Sequence, residues 1–201
     1  MKIETLMVPN PLTVTVRAKV DEALELMKCH AIRHLPVVDA KNQLQGLLTL
    51  ADLKRALLPA MMGDLTLAEM MIKDPYTVSP DDDIEYAAQL IYNHKIGGLP
   101  VVKGRQLVGI ITESDILRAF IDMMGILSNS SRIDVTTGIK PDELNRAIHI
   151  IQRHGGDIIN VGMTAKKKAK RTYYFRLTPC NTRPIAKALE NEGFVVQAVM
   201  T

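Results

Sequence analysis

The chain has 201 residues, 47% hydrophobic and 23% charged, with a net charge of +3. That balance excludes a disordered or fibrous protein, and it gives no field strong enough to make nucleic acid or an anionic membrane the main partner. Aromatics are 4% and Trp is absent, so the core must be assembled from Leu, Ile, Val, Ala and the 11 Met, whose flexible thioethers fill irregular gaps.

Two compact units are expected at this length. Met1–Pro11 lacks the apolar stretch of a secretory signal, and no run of about 20 apolar residues follows it. The expected setting is therefore cytoplasmic, without membrane attachment. Cys29 and Cys180 stand far apart, so reduced thiols are expected rather than a disulfide framework or a zinc site.

A duplication organises the first 120 or so residues. Met7–Val38 aligns with Met71–Val102 at a shift of 64 with 12 of 32 positions identical, and Gln43–Ala56 aligns with Gln106–Ala119 at a shift of 63 with 7 of 14 identical. Each copy opens on a short extended piece, Thr13-Val14 or Thr77-Val78. A helix follows whose apolar residues recur at i, i+3, i+4 and i+7: Val20, Ala23, Leu24 and Met27, then Ile84, Ala87, Ala88 and Ile91. Two β-rich runs come next (Leu35–Val38 and Leu44–Thr49; Leu99–Val102 and Leu107–Thr112), divided by polar turns, and a second helix closes the copy. The order is β-α-β-β-α. A copy of about 60 residues shields its small sheet poorly alone, so the two are expected to pack together, sheet to sheet.

Ser128-Asn129-Ser130-Ser131 marks a boundary. Beyond it lie a strand (Arg132–Thr136), a helix with Leu144, Ala147, Ile148 and Ile151 on one face, a strand (Asp157–Met163), a basic connection, a strand (Thr172–Leu177), a helix (Arg183–Glu192) and a strand (Phe194–Val199). That β-α-β-β-α-β order is ferredoxin-like. Gly155-Gly156 and Gly193 stand where helix C-caps are expected. Lys166, Lys167, Lys168, Lys170 and Arg171 read as a solvated hairpin tip, with an acidic partner as the alternative. Met61-Met62, Met70-Met71 and Met123-Met124 read as core or subunit-contact residues.

Asn-Pro or Asp-Pro before Thr-Val, then Leu-Pro-Val-Val, then Gly-x-x-Thr-x-x-Asp occur in both copies. In this combination the first 127 or so residues resemble a CBS domain pair, the regulatory unit also called a Bateman module. The resemblance implies an α/β (α+β) fold in which two CBS motifs, 1–66 and 67–127, form a pseudo-twofold pair. It also implies a homodimer and a nucleoside site between the motifs. Thr49 and Thr112 would contact phosphate there, while Asp52 and Asp115 grip a ribose. The chemistry agrees: a carboxylate offers two oxygens to two adjacent hydroxyls, and a helix start offers N–H groups to phosphate. Thr-x-x-Asp also reads as a capping arrangement, with Thr as N-cap.

Before Leu-Pro-Val-Val the copies differ, Arg33-His34 against Gly97-Gly98. Arg33 suits phosphate and the glycines suit a base lying on backbone; a solvated arginine and glycines with unusual backbone angles are the alternatives. Thr13, Pro36, Thr77 and Pro100 of the shared motifs complete the candidate ligand-binding set with His34. His30 and His34 lack a third partner, so no metal is expected.

Residues 128–201 are similar to an ACT domain, and the CBS-CBS-ACT order resembles acetoin-utilisation AcuB-type proteins. An ACT site that takes an amino acid uses a Gly after the first strand. Thr137-Gly138-Ile139-Lys140-Pro141-Asp142-Glu143-Leu144 departs from that pattern, and a dimerising sheet is the favoured reading. No nucleophile elbow, Walker loop or metal cluster is present in the sequence, so a non-enzymatic sensor is expected. Its ligand would be AMP, ADP, ATP, S-adenosylmethionine or NADH, and its target another protein. A structural adaptor and a nucleic-acid binder are the competing readings.

Overall fold

A computed structural model describes residues 1–56, 66–138, 142–164 and 170–201. The chain divides into two units, Met1–Leu117 and Arg118–Thr201.

The first unit contains both copies of the repeat apart from the end of their last helix. A 3-10 turn (Ile3–Thr5) leads into β1 (Val8–Pro9), α1 (Val20–Cys29), β2 (His34–Val38), β3 (Leu44–Thr49) and α2 (Leu50–Ala56). The second copy runs through α3 (Leu67–Met70), β4 (Ile72–Lys73), α4 (Ile84–His94), β5 (Gly98–Lys103), β6 (Gln106–Thr112) and α5 (Glu113–Met123). Both long hairpins carry a register shift at the same repeat position, Val37/Val38 and Val101/Val102.

The copies interlock. β1 pairs antiparallel with β6 of the other copy (Val8↔Ile110, Pro9↔Gly109), and β4 pairs with β3 (Gly46↔Lys73, Leu47↔Ile72). The sheets therefore have the orders β1-β6-β5 and β2-β3-β4, each holding one strand from the other motif. Leu67 of α3 is fully buried in the core of motif 1 among Ala23, Leu24, Met27, Leu35, Val37, Leu48 and Leu53. Its repeat counterpart Ile3 is equally buried, and the backbone N–H of Ile3 donates to Asp82 O at 3.0 Å. Edge bonds add to this: Leu44 N to Arg105 O at 3.1 Å and Leu107 N to Asn42 O at 3.1 Å.

The exchange explains one glycine in each copy. A Cβ on Gly46 would lie 2.6 Å from Met71 Sδ and 2.9 Å from Ile72 O, and one on Gly109 would lie 2.5 Å from Met7 Sδ. Only a residue without a side chain lets the exchanged strand lie this close. Thr13-Val14 and Thr77-Val78, expected as strands, form only single parallel bridges, Val14↔Val37 and Val78↔Val101.

The second unit is built from β7 (Ser131–Thr137), α6 (Asp142–Arg153), β8 (Ile158–Met163), β9 (Arg171–Leu177), α7 (Thr182–Asn191) and β10 (Val195–Met200). Its antiparallel sheet has the order β10-β7-β9-β8. Ile133, Val135, Tyr173, Phe175 and Leu177 pack beneath Ala147 and Ile151 of α6 and Ile185 and Leu189 of α7. Gly155 (φ 86°) and Gly193 (φ 87°) follow the two helices in the left-handed conformation of a C-cap. Gly156 takes no positive φ; a Cβ there would lie 2.6 Å from Ile151 Cγ2, so close approach is its requirement.

Met70 and Met71 pack against the motif 1 core, whereas Met61-Met62 and Lys166–Lys168 fall outside the described residues. Among the described residues no helix is long and apolar enough to cross a membrane.

Candidate functional site in the repeat unit

Thr49 and Thr112 end β3 and β6, and α2 and α5 begin immediately after them. The carboxylate three residues on folds back in both copies. Asp52 Oδ2 accepts from Thr49 N (3.2 Å) and Thr49 Oγ1 (2.5 Å), and Asp115 Oδ2 accepts from Thr112 N (2.9 Å) and Thr112 Oγ1 (2.6 Å). The capping reading of Thr-x-x-Asp is thus realised. It engages one oxygen of each carboxylate and leaves Oδ1 for another partner. Asp52 Oδ1 has Arg55 Nη2 at 3.8 Å.

Two cavities open beside these helix starts. One, of about 480 Å³, is lined by Thr112, Ser114 and Asp115 together with Asn10–Leu12 and His30–His34 of the other motif. The second, of about 300 Å³, is lined by Thr49, by Asp74–Tyr76 and by Lys95–Gly98. Volumes of this order suit a small organic ligand. The walls correspond across the repeat: Asn10 with Asp74, Pro11 with Pro75, Ala31 with Lys95, Ile32 with Ile96, Ile110 with Leu47.

Four of these wall residues hold positive φ without being glycine: Asn10 (47°), Asp74 (50°), Ala31 (51°) and Lys95 (53°). Left-handed backbone is costly for Ala and Lys, and such positions concentrate around sites. Beside the Thr49 cavity, Tyr76 stacks on His94 with ring centroids 4.1 Å apart, leaving a half-exposed aromatic at the cavity wall.

Between the cavities lies His34, which borders both. Its ring fills the space beside the two glycines of motif 2: a Cβ on Gly97 would stand 2.9 Å from Cε1 and Nε2, and one on Gly98 would stand 3.3 Å from Cγ. Neither glycine has positive φ. The space against their backbone, expected for a base or explained by unusual angles, is taken by a histidine of the same chain. Arg33 Nη2 donates to Glu113 Oε1 at 3.2 Å, tying motif 1 to motif 2 on the exposed side.

Burial, reinforced by the Arg33 guanidinium, holds His34 below its ordinary value of 6.5 against the opposing pull of Glu113. The folded state then binds fewer protons here than the unfolded chain. Stability from this residue is full above pH 6.5 and is lost as the pH falls through the depressed folded value. His34→Gln is expected to flatten the dependence of the urea midpoint on pH between about 7 and about 5. An unchanged slope would contradict this assignment.

Of the sequence-derived candidates, Arg33, His34, Thr49, Gly97, Gly98, Thr112 and Asp115 border the two cavities. Thr13, Pro36, Asp52, Thr77 and Pro100 do not line either one. Pro36 and Pro100 are buried mid-strand, where their carbonyls accept from Val14 N (3.1 Å) and Val78 N (3.2 Å), a structural task. The sequence reading missed Asn10–Leu12, Asp74–Tyr76 and Ala31–Ile32 with their counterparts. Their signal was present in the duplicated Asn/Asp-Pro steps, which lie next to strands that change partner. Among the described residues no group of three or more His, Cys, Asp or Glu is placed to hold a metal.

A model of the CBS domain matches residues 3–59 and 67–122, more than half of the chain. The chain belongs to the CBS domain family. A putative acetoin utilization protein (AcuB) from Vibrio cholerae is 34% identical with a TM-score of 0.59, covering 64% of this chain and 98% of that one. The CBS domain pair of protein MJ0100, solved with 5-methylthioadenosine and S-adenosyl-L-methionine, is 30% identical (TM-score 0.56; 60% and 95% covered). CBSX2 of Arabidopsis thaliana, solved with AMP, is 28% identical (TM-score 0.55; 61% and 97% covered). The chain spans about a quarter of the length of the first curated relatives it matches. One of these, a homoserine O-acetyltransferase of Methanocorpusculum labreanum, is 38% identical over 114 residues, which is 56% of this chain and 23% of the relative.

Proposed function

We propose that the chain is a non-enzymatic regulatory protein that binds an adenosyl ligand in the clefts of its CBS pair. The observation that carries this is the pair of repeat-related cavities, each bordered by the threonine of Gly-x-x-Thr-x-x-Asp, one of them bordered by the aspartate as well. The neighbours solved with AMP or with methylthioadenosine and S-adenosyl-L-methionine are consistent with it. Asp115 Oδ1 is the acceptor assigned to the ribose hydroxyls, and Ser114 brings a hydroxyl donor to the same wall, the Thr112 hydroxyl being donated to Asp115 Oδ2.

In this reading unit boundaries follow the repeat, with motifs at 1–66 and 67–127 and an ACT-like, ferredoxin-like domain at 128–201. The strand order β10-β7-β9-β8 with two helices on one face supports that last assignment. The carboxylate of Glu143 accepts from the backbone N–H of Gly138, so the donor nearest an amino-acid site is engaged by the chain itself. That favours a domain that reports or dimerises over one that senses an amino acid. The ligand state passes through Ile121–Ser131 to this domain or to a regulated protein, in a cytoplasmic homodimer of the AcuB type. A ligand that prefers one arrangement of the pair tenfold supplies about 1.4 kcal/mol of bias.

Calorimetric titration of the whole chain with AMP, ADP, ATP, S-adenosylmethionine and NADH tests the reading. Saturable binding of at least one at micromolar concentration is expected. Silence with all five would leave the adaptor reading in its place.

A further inference from the structure

Because the cavities are related by the repeat, comparing equivalent positions isolates what distinguishes them. Beside the Thr49 cavity, and sharing His34, Thr49 and Gly97 with it, lies a hollow of about 350 Å³ that is also bordered by Arg33, Leu50, Ala51, Lys54 and Glu113. Within that hollow Arg33 and Glu113 are paired at 3.2 Å, so its net charge is set by Lys54. The repeat counterpart of Lys54 is Leu117, and that of Leu50 is Glu113.

The remaining charges do not offset this difference. Arg55 and its counterpart Arg118 are the same residue in both copies. Asp74 and Lys95, one of each sign, border the Thr49 cavity where Asn10 and Ala31 border the other. Among the described residues lining the Thr112 cavity, the one lysine or arginine is Arg33, held on Glu113.

Resting on the nucleoside reading of both cavities, we propose that they take different classes of ligand. The Thr49 cavity receives an adenine nucleotide whose phosphate reaches Lys54, and the Thr112 cavity receives an adenosyl group without a phosphate. A lysine ammonium recognises phosphate as a point charge, and Lys54 supplies one without breaking the Arg33–Glu113 pair. A phosphate in the Thr112 cavity meets no lysine, and its approach to Arg33 must break the same pair. There Asp115 grips the ribose, and the exposed Leu117 adds no charge.

The test is a titration of the whole chain with AMP and with adenosine, in the wild type, Lys54→Ala and Leu117→Lys. Both replaced side chains are exposed, so folding is preserved. The preference for AMP over adenosine is expected to fall about three- to tenfold in Lys54→Ala, the range for a solvated charged contact. In Leu117→Lys a second site preferring AMP should appear. A preference unchanged by Lys54→Ala, or absent in the wild type, would overturn the division of ligands while leaving the nucleoside reading intact. Failure of both AMP and adenosine to bind the wild type would instead remove the nucleoside reading itself.

Discussion

Ile3→Ala is expected to lower the unfolding free energy by about 2–5 kcal/mol, the range for emptying a buried aliphatic site. A residue so near a chain end would ordinarily cost almost nothing to replace, because terminal segments are commonly loose. Here Ile3 is fully buried. The backbone around it is fixed on motif 2 by Ile3 N to Asp82 O (3.0 Å), Glu4 N to Pro80 O (3.0 Å) and Ile84 N to Met1 O (2.9 Å). Its repeat counterpart Leu67 occupies the core of motif 1, so the two form equivalent plugs, each inserted into the other copy. Urea denaturation would measure the effect, with the exposed Glu4→Ala as the control. A loss below about 0.5 kcal/mol, the scale of an ordinary surface change, would show that the exchanged segment does not hold the pair together.

The second large effect is on binding. Asp115→Asn is expected to weaken an adenosyl ligand by about 1–3 kcal/mol, the loss that follows when a charged acceptor is removed from a hydrogen bond. Asparagine retains an oxygen able to accept from Thr112 N, so the cap survives and the helix loses less than about 1 kcal/mol. Calorimetry and a thermal melt on the same sample separate the two consequences. Unchanged affinity in a folded variant would contradict the ribose role of Asp115. Asp52→Asn should act more weakly, since Asp52 lies off the cavity wall and its second oxygen already has Arg55 at 3.8 Å.

The sequence made the repeat, the hairpins and the helices legible because each has a period or a matching copy. β2–β3 and β5–β6 lie within a residue of where the β-rich runs place them, and α1 and α4 begin at Val20 and Ile84 as the apolar spacing requires. The exchange was not legible. β1 and β4 are two residues long, too short for a period, and their partners lie in the other copy. Thr13-Val14 and Thr77-Val78 carry β-branched residues and were the better strand candidates by propensity, but each makes a single bridge.

The same distinction runs through the site. Thr49, Asp52, Thr112 and Asp115 were readable because Gly-x-x-Thr-x-x-Asp repeats. Sequence alone left ribose grip and helix cap as rivals, whereas a carboxylate with two oxygens performs the cap on one and keeps the other. The contact of Gly97-Gly98 with the His34 ring was not legible, because that ring comes from the other motif, 63 residues before Gly97. The glycines of Gly46 and Gly109 make the same point. Both look like motif punctuation in one dimension, and both are clearance for the methionine just before an exchanged strand in three.

Amide chemical shifts followed during titration with AMP and with S-adenosylmethionine test the central claim most directly. Saturable shifts centred on Thr49, Gly97, Gly98, Thr112 and Asp115 are predicted. Shifts confined to residues 131–201, or none with either compound at millimolar concentration, would contradict it.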